Sequence, residues 1–313
     1  MMTPTAYNAS VAGRLWPHVA LPQPLPALDP ATPAFTSAVV VWQIALGLRP
    51  DGQLGPATWA AMRRHATPPS ASAPVLGIDV SGHQPYIDWP AVYAAGYRYA
   101  WVKATEPRTG YVYGRLAEHV HAAAAAGLAV GAYTFNAARD KRTDAKASPE
   151  RDADAFLDAV RGLPLTLPLA IDEEEMYQGR RIRGPDGKLR GDPKYKMTAA
   201  AIVEWDERVA VRLTEGAGRP PVFYAYTAML RYLAPAVSRG SVLLDCPLWQ
   251  SQVGDGGGPR SKPATHVKPW PEAAVHQYSW TGRITGVLSK ARRPANVDLN
   301  RCTAATLAAL RGV

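Results

Sequence analysis

Leu167-Pro168-Leu169-Ala170-Ile171-Asp172-Glu173-Glu174-Glu175 joins a short apolar run to four consecutive carboxylates with no cation among them. The run opened by Pro168 reads as a buried strand, and its polar tail marks where that strand leaves the core. Side chains alternate along a strand, so Asp172 and Glu174 are expected on one face, Glu173 and Glu175 on the other. Two carboxylates about 7 Å apart at the C-terminal end of a barrel strand suit glycosidic bond cleavage. Crowding raises the proton affinity of at least one of them, as a general acid near neutral pH requires. Taken alone, the stretch also fits an exposed acidic loop behind a strand.

On either side, strand-like runs alternate with helical ones. Val75–Val80 precedes a helix over Trp89–Ala95, Tyr97–Lys103 precedes Arg115–Ala126, and Ala129–Phe135 precedes Pro149–Val160. The acidic strand, drawn over Leu167–Ile171, precedes Thr198–Thr214, whose Ile202, Trp205, Val209 and Leu213 share one helical face. Pro221–Tyr226 then precedes Ala228–Leu233, and Leu248–Ser251, Ala274–Tyr278 and Ala295–Leu299 follow with little helix between them. Five strand–helix units and three further strands predict a parallel-type α/β barrel that has lost its last helices. The length of 313 residues holds one such barrel, of about 250 residues, and a small appendage.

The appendage lies before a Pro/Ala/Ser-rich linker at 66–74. Within residues 1–65, Phe35, Val39, Trp42 and Leu46 recur at helical spacing, Gly47 ends that helix, and Gly55-Pro56 opens a second carrying Trp59 and Met62. A leading helix and an extended arm are expected over residues 1–34. The catalytic barrel would occupy 75–313.

Bulk properties narrow the function. Apolar residues make up 47% of the chain, and no apolar run approaches the ~20 residues of a membrane span, so no stable membrane insertion is expected. Met1 to Ser10 has no basic residue and no apolar core, so no secretory signal is expected. Cys246 and Cys302 carry no metal-site spacing. One precedes a strand and the other follows one, which in a parallel barrel means opposite ends and two free thiols. The formal charge of +9 favours an anionic partner. Bacterial wall polymers and outer-membrane phosphates rank above nucleic acid, because no aromatic-interleaved basic patch or DNA-binding signature is present. The densest basic run, Arg180, Arg181, Arg183, Lys188, Arg190, Lys194 and Lys196, follows directly on the acidic strand. A solvated loop is its plain reading; contact with wall carboxylates is the functional one.

In a barrel, function gathers at the C-terminal ends of the strands. Those ends supply Asp79, Lys103 and Glu106, Tyr133, Asp172 and Glu174, Tyr226, Trp249, Gln277 and Asp298. Carboxylates for chemistry and aromatic faces for sugar rings are the mixture a carbohydrate site needs. No GxSxG elbow, Cys/His set or phosphate loop competes.

With Gly77-Ile78-Asp79-Val80-Ser81, Val102-Lys103-Ala104-Thr105-Glu106, Val130-Gly131-Ala132-Tyr133, Asp172-x-Glu174, Pro247-Leu248-Trp249, Gln277-Tyr278-Ser279 and Asn296-Val297-Asp298-Leu299-Asn300, the chain resembles family 25 glycoside hydrolases, muramidases common among phage endolysins. The resemblance spans residues 75–302 and implies a modified TIM-like barrel of five β/α units plus three strands. It implies Glu174 as general acid and Asp172 as partner of the substrate's N-acetyl group, whose carbonyl oxygen attacks the anomeric carbon. Asp79 and Asp298 would tune that pair, and Glu106, Tyr133, Tyr226 and Trp249 would line the sugar sites. Thr134 and Pro107 depart from the family's usual His and Gly. Val41-Trp42-Gln43, Leu46-Gly47-Leu48, Asp51-Gly52 and Leu54-Gly55-Pro56-Ala57-Thr58 resemble a three-helix peptidoglycan-binding domain, with Trp42, Asp51 and Trp59 as its wall-binding residues. A cap that only packs on the barrel is the alternative.

The expectation is thus a monomeric, cofactor-free and metal-free peptidoglycan hydrolase cleaving the β-1,4 bond between N-acetylmuramic acid and N-acetylglucosamine. It would be held in the host cytoplasm until the membrane is breached, and an injected antibacterial effector fits the same features. A non-catalytic wall-binding or virion protein, and a chitinase-like hydrolase, are the rival readings.

Overall fold

The computed structural model describes residues 2–15, 29–63, 74–253 and 264–312. Of the expected linker only Pro74 is among them, and residues 16–28 of the expected N-terminal arm lie outside them.

Eight strands close a barrel: β1 (Pro74–Val80), β2 (Tyr97–Glu106), β3 (Ala129–Asn136), β4 (Ala170–Glu173), β5 (Val222–Tyr226), β6 (Leu248–Ser251), β7 (Val275–Gly282) and β8 (Val297–Thr303). Neighbours β1 through β7 pair in parallel, while β8 runs antiparallel to both β7 and β1 and completes the ring. A two-residue strand, Tyr111–Val112, pairs outside β2.

Numbering the N-terminal helices α1 (Pro4–Leu15), α2 (Pro33–Ala45) and α3 (Pro56–Arg63), the barrel helices are α4 (Trp89–Ala94), α5 (Leu116–Ala125), α6 (Pro149–Val160), α7 (Ala199–Ala217) and α8 (Thr227–Leu233). Each follows one of the first five strands, giving the five β/α units expected. Three of the five starts are fixed by side-chain caps: Asp88 accepts from Ala91 N, Ser148 from Arg151 N and Thr198 from Ala201 N. Gly218, at φ +72°, ends α7 in the left-handed conformation that glycine adopts without strain. Ile202, Trp205, Val209 and Leu213 of α7 are buried against the strands, as their spacing predicts.

The two faces of each strand serve different layers. Outward residues such as Ile78, Val102, Val130, Ile171 and Phe223 pack under the helices. Inward residues Tyr99, Trp101, Tyr133, Tyr224, Trp249 and Val275 fill the barrel. Trp101 and Trp249 stack with ring centres 4.8 Å apart, and Tyr224 meets Trp249 edge-on at 4.8 Å. Gly77 lies where this plug is thickest: a Cβ there would come 2.1 Å from the Tyr99 ring.

Several expectations need correcting. The acidic strand begins at Ala170 rather than Leu167 and takes Asp172 and Glu173 into its ladder. The last strand is not parallel. It begins at Val297 and runs away from the mouth, so Asp298 sits at its start, and helix α9 (Ala304–Arg311) follows at the floor. Reversal of β8 also brings Cys302 to the floor end, where Cys246 precedes β6. The two thiols are free and buried as expected, but not for the reason given.

The three N-terminal helices form one unit. Gln43 is its buried hub: Nε2 donates to Asp51 Oδ1 (2.7 Å), Gln53 O (3.0 Å) and Thr58 Oγ1 (2.9 Å), while Oε1 accepts from Gly52 N (2.8 Å). Asn8 of α1 pins the same turn through Gly52 O and Leu54 N, each at 2.9 Å. The unit packs on the barrel floor, where Val40 and Ile44 join Val75, Leu307 and Leu310 in one apolar cluster and Tyr93 donates to Gly47 O (2.8 Å). Among the described residues, no helix is long and apolar enough to cross a membrane.

Candidate active site

Strand alternation sends Asp79, Lys103, Tyr133, Asp172, Tyr224, Gln277, Asp298 and Asn300 inward at the mouth, above the aromatic plug. Asp79 and Asp298 are direct partners across the β1–β8 ladder. Asp79 Oδ2 accepts from Asn300 Nδ2 (2.7 Å) and Gln277 Nε2 (3.0 Å). Burial raises Asp79 to about 6, with the bonds from Asn300, Gln277 and Asp298 opposing the rise. Burial and the neighbouring Asp79 charge raise Asp298 further, to about 9. At neutral pH Asp298 is therefore a neutral acid that donates its proton to Asp79.

Asp172 and Glu174 form the second pair. Burial, then the charges of Glu174 and Asp79, hold Asp172 well above the usual carboxylate range. Burial also raises Glu174, against a hydrogen bond from Tyr224 and the positive charge of Lys103. Burial thus holds both acids above their ordinary range. The Tyr224 hydroxyl lies 3.0 Å from Glu174 Oε1 and 2.9 Å from Gln277 Oε1, and it has one proton for those two acceptors. Given to Glu174, that proton stabilises the carboxylate and opposes the rise that burial imposes. Asp172 Oδ1 is buried and accepts no hydrogen bond. A donor brought by a ligand would satisfy it and stabilise Asp172 as the carboxylate.

Glu173 faces away from the mouth. Glu173 and Asp206 of α7 are wholly buried behind β4, bridged by Asn136 Nδ2, which donates to Glu173 Oε2 (3.0 Å) and Asp206 Oδ1 (2.6 Å). Glu173 Oε1 accepts from Glu175 N (2.9 Å), bracing the peptide that carries Glu174.

Other expected site residues meet varied fates. Tyr133 stands among the charges of Asp79, Asp172, Asp298 and Glu174, all of which, after burial, raise its hydroxyl. Tyr226 is half-buried at the rim near Glu174. Glu106 is committed to two cations, Lys103 Nζ at 2.9 Å and Arg108 Nη2 at 3.0 Å. Trp249 is a correction: at 2% exposure, with Nε1 donating to Asn300 Oδ1 (2.8 Å), it belongs to the plug and cannot stack on a ligand. The aromatic that can is Trp280, 52% exposed, its indole N–H held by Gln277 Oε1 (2.8 Å) and Ser251 Oγ (3.1 Å). It borders a cleft of about 500 Å³ that reaches Asp79, Tyr133 and Asp298. In the N-terminal unit Trp42 is buried core, Asp51 holds its turn through Gln43 and Gln53, and Trp59 packs half-buried.

Sequence reading missed Tyr224 and Trp280. Tyr224 shares the inward face of β5 with Tyr226, two residues on, so alternation alone points to both. Trp280 lies where β7 runs on past Tyr278 and turns outward. Of the departures noted, Thr134 is buried with its hydroxyl 2.8 Å from Thr105 Oγ1, and Pro107 opens the turn Pro107–Thr109 at the end of β2. A larger recess, about 640 Å³, lies between α6 and α7 at the floor, far from the carboxylates. Among the described residues, no cluster of His, Cys, Asp or Glu is arranged to hold a metal ion.

A barrel of this build, with a buried acid pair at its mouth, is the frame of a glycoside hydrolase. The chain belongs to the glycosyl hydrolases family 25, whose model matches residues 78–287. It is 30% identical over 222 residues to Lysozyme M1 of Streptomyces globisporus, covering 70% of this chain and 66% of that protein. It is 30% identical over 166 residues to the N,O-diacetylmuramidase of Arthroderma benhamiae, covering 48% of this chain and 57% of that one. The chain thus spans less than two thirds of either relative's length. The crystal structure of the bacterial lysozyme from Streptomyces coelicolor matches with a TM-score of 0.57 at 26% identity, covering 77% of this chain and 98% of that one.

Proposed function

We propose that the protein is a muramidase that cleaves the β-1,4 bond between N-acetylmuramic acid and N-acetylglucosamine in peptidoglycan. The observation that carries the reading is the buried Asp172–Glu174 pair at the barrel mouth, where burial holds both acids above their ordinary range and Asp172 Oδ1 accepts no hydrogen bond. Glu174 would protonate the leaving glycosidic oxygen as the bond to the anomeric carbon breaks. The acetamido carbonyl oxygen of the same sugar would attack that carbon, its N–H donating to the unpartnered Oδ1 of Asp172. Glu174, now a carboxylate, would take a proton from the water that opens the resulting ring. Asp79, braced by Asn300, Gln277 and the neutral Asp298, adds a fixed negative charge that helps keep a proton on the Asp172–Glu174 pair.

The test is mass spectrometry of fragments released from purified peptidoglycan by wild type and Glu174→Gln. Reducing N-acetylmuramic acid ends, absent with the variant, support the reading. Anhydro ends, or new free amines without reducing ends, would replace it with a lytic transglycosylase or an amidase.

We further propose that the N-terminal unit binds the wall and that the protein works as an endolysin, released from the host cytoplasm on membrane breach. The motif around Gln43, which builds the Asp51–Gly52 turn, supports the first, and bivalency would then raise local enzyme concentration. Lysis of cells expressing the protein only when a holin is co-expressed tests the second.

A further inference from the structure

The basic run after β4 folds into a hairpin whose neck lies beside Arg108 and Glu175, next to the acidic strand. Its neck is closed by Met197 N donating to Met176 O (2.8 Å) and Asp192 N to Arg180 O (3.0 Å). Buried Gln178 ties the neck to the next loop, its Oε1 accepting from Asp140 N (3.1 Å) and Thr143 Oγ1 (2.6 Å). Arg142 holds the far side through Lys194 O at 2.8 Å. Beyond this anchored neck, Arg181–Arg183 pairs with Leu189–Gly191 around a Gly-Pro-Asp-Gly turn.

A two-stranded ribbon cannot bury a core of its own. Ile182 and Leu189 stay 45% and 59% exposed, and the ribbon's stability rests on its neck. Register places Arg181, opposite Gly191, and Arg183, opposite Leu189, on one face. Gly191 backs onto the Tyr177 ring, where a Cβ would come within 2.2 Å, and Arg181 approaches Glu175 at 3.6 Å. That face therefore looks over the peptide next to Glu174. The one acid of the tip, Asp186, is spent on Arg190 at 2.6 and 2.8 Å. Arg181, at 58% exposure, keeps most of its guanidinium in solvent, and Arg183, which also donates to Gly187 O, is exposed on the same face.

We propose that this face is a clamp for the carboxylates of the stem peptide borne by the muramyl residue bound in the mouth. The inference rests on the muramidase reading above. The peptide leaves the sugar through its lactyl group and carries several free carboxylates within a few residues. Guanidinium groups bind such carboxylates in paired hydrogen bonds that an ammonium cannot reproduce. The neck supplies the rigidity that makes such a clamp effective, because the cost of ordering it is met by folding.

The experiment compares wild type with Arg181→Gln/Arg183→Gln on two substrates: intact peptidoglycan, and the same glycan stripped of peptides by an amidase. The variant is expected to lose about tenfold in kcat/KM on intact wall, through KM, with no change on stripped glycan. The difference should vanish at about 0.5 M salt, where the Debye length is only a few ångströms. Equal losses on both substrates, or no loss on either, overturn the clamp. Unaltered kinetics with lost sedimentation on vesicles of anionic phospholipid also overturn it, assigning the hairpin to lipid phosphates. If wild type releases no reducing ends from intact peptidoglycan, the muramidase reading itself fails. Affinity of Glu174→Gln for intact wall, with and without the hairpin substitutions, then judges the clamp separately: an unchanged affinity overturns it.

Discussion

Glu173 and Asp206 meet face to face behind the catalytic strand, and Asp206 Oδ2 finds no donor except a proton carried by Glu173. Among the described residues no cation forms an ion pair with either, and burial followed by mutual charge raises Glu173 well above its usual range. An acid–carboxylate pair replaces the salt bridge that two buried carboxylates would otherwise require.

That pair makes stability fall as pH rises. The unfolded acids release their protons near pH 4, while the folded pair retains one far longer. The stabilisation is thus complete at acid pH and is lost as pH climbs toward the raised folded values. Asp206→Asn keeps a donor to Glu173 and removes one of the two buried acids, so its melting temperature should vary less between pH 5 and 8. Asp206→Ala removes the second acceptor of Asn136 Nδ2 and the buried partner of Glu173, and should cost about 3 kcal/mol in urea unfolding.

Tyr224→Phe removes the hydroxyl between Glu174 and Gln277. A drop in kcat of about 10- to 100-fold is expected. Tyr224 lowers Glu174, so without it Glu174 keeps its proton to higher pH. The alkaline limb of the pH–rate profile should move upward; a downward move would reverse the assigned role.

Asp298→Asn preserves a donor to Asp79 and should retain activity at pH 7 within about tenfold, whereas Asp298→Ala should lose about 100-fold. Wild-type Asp298 ionises at about 9, placing a second charge against Asp79. Its folded value lies above the unfolded one, so its contribution to stability declines as pH rises to that point. Asp298→Asn should show a flatter stability profile over the alkaline range, measured by thermal melts.

Trp280→Ala should raise KM about tenfold, the effect of losing roughly half an aromatic face from a sugar contact. Trp280→Phe should recover part of that loss in steady-state kinetics on solubilised glycan. Trp249→Ala, by contrast, opens the plug and should cost about 3–5 kcal/mol in stability.

Alternation carried the sequence reading far. It set Asp172 and Glu174 apart from Glu173, and that division holds at the end of β4. It did not reveal strand direction, since Val297–Thr303 has the same inward–outward pattern whichever way it runs; direction is set by pairing with β1. Trp249 was misread for a related reason. An inward aromatic lines a ligand site near the mouth and fills the plug one layer lower, and composition does not give depth. The basic run's hairpin was legible only as a Gly-Pro-Asp-Gly turn between charged residues.

The seam between β1 and β8 joins residues 74–80 to 297–303, the first and last strands of the ring. A ribosome delivers these segments more than two hundred residues apart, so the ring cannot shut until its final strand has emerged. Asp79 meets Asp298 and Asn300 only at that moment. A prematurely terminated chain would carry Asp172 and Glu174 yet lack the brace behind them, and a cell making such fragments would be spared their chemistry.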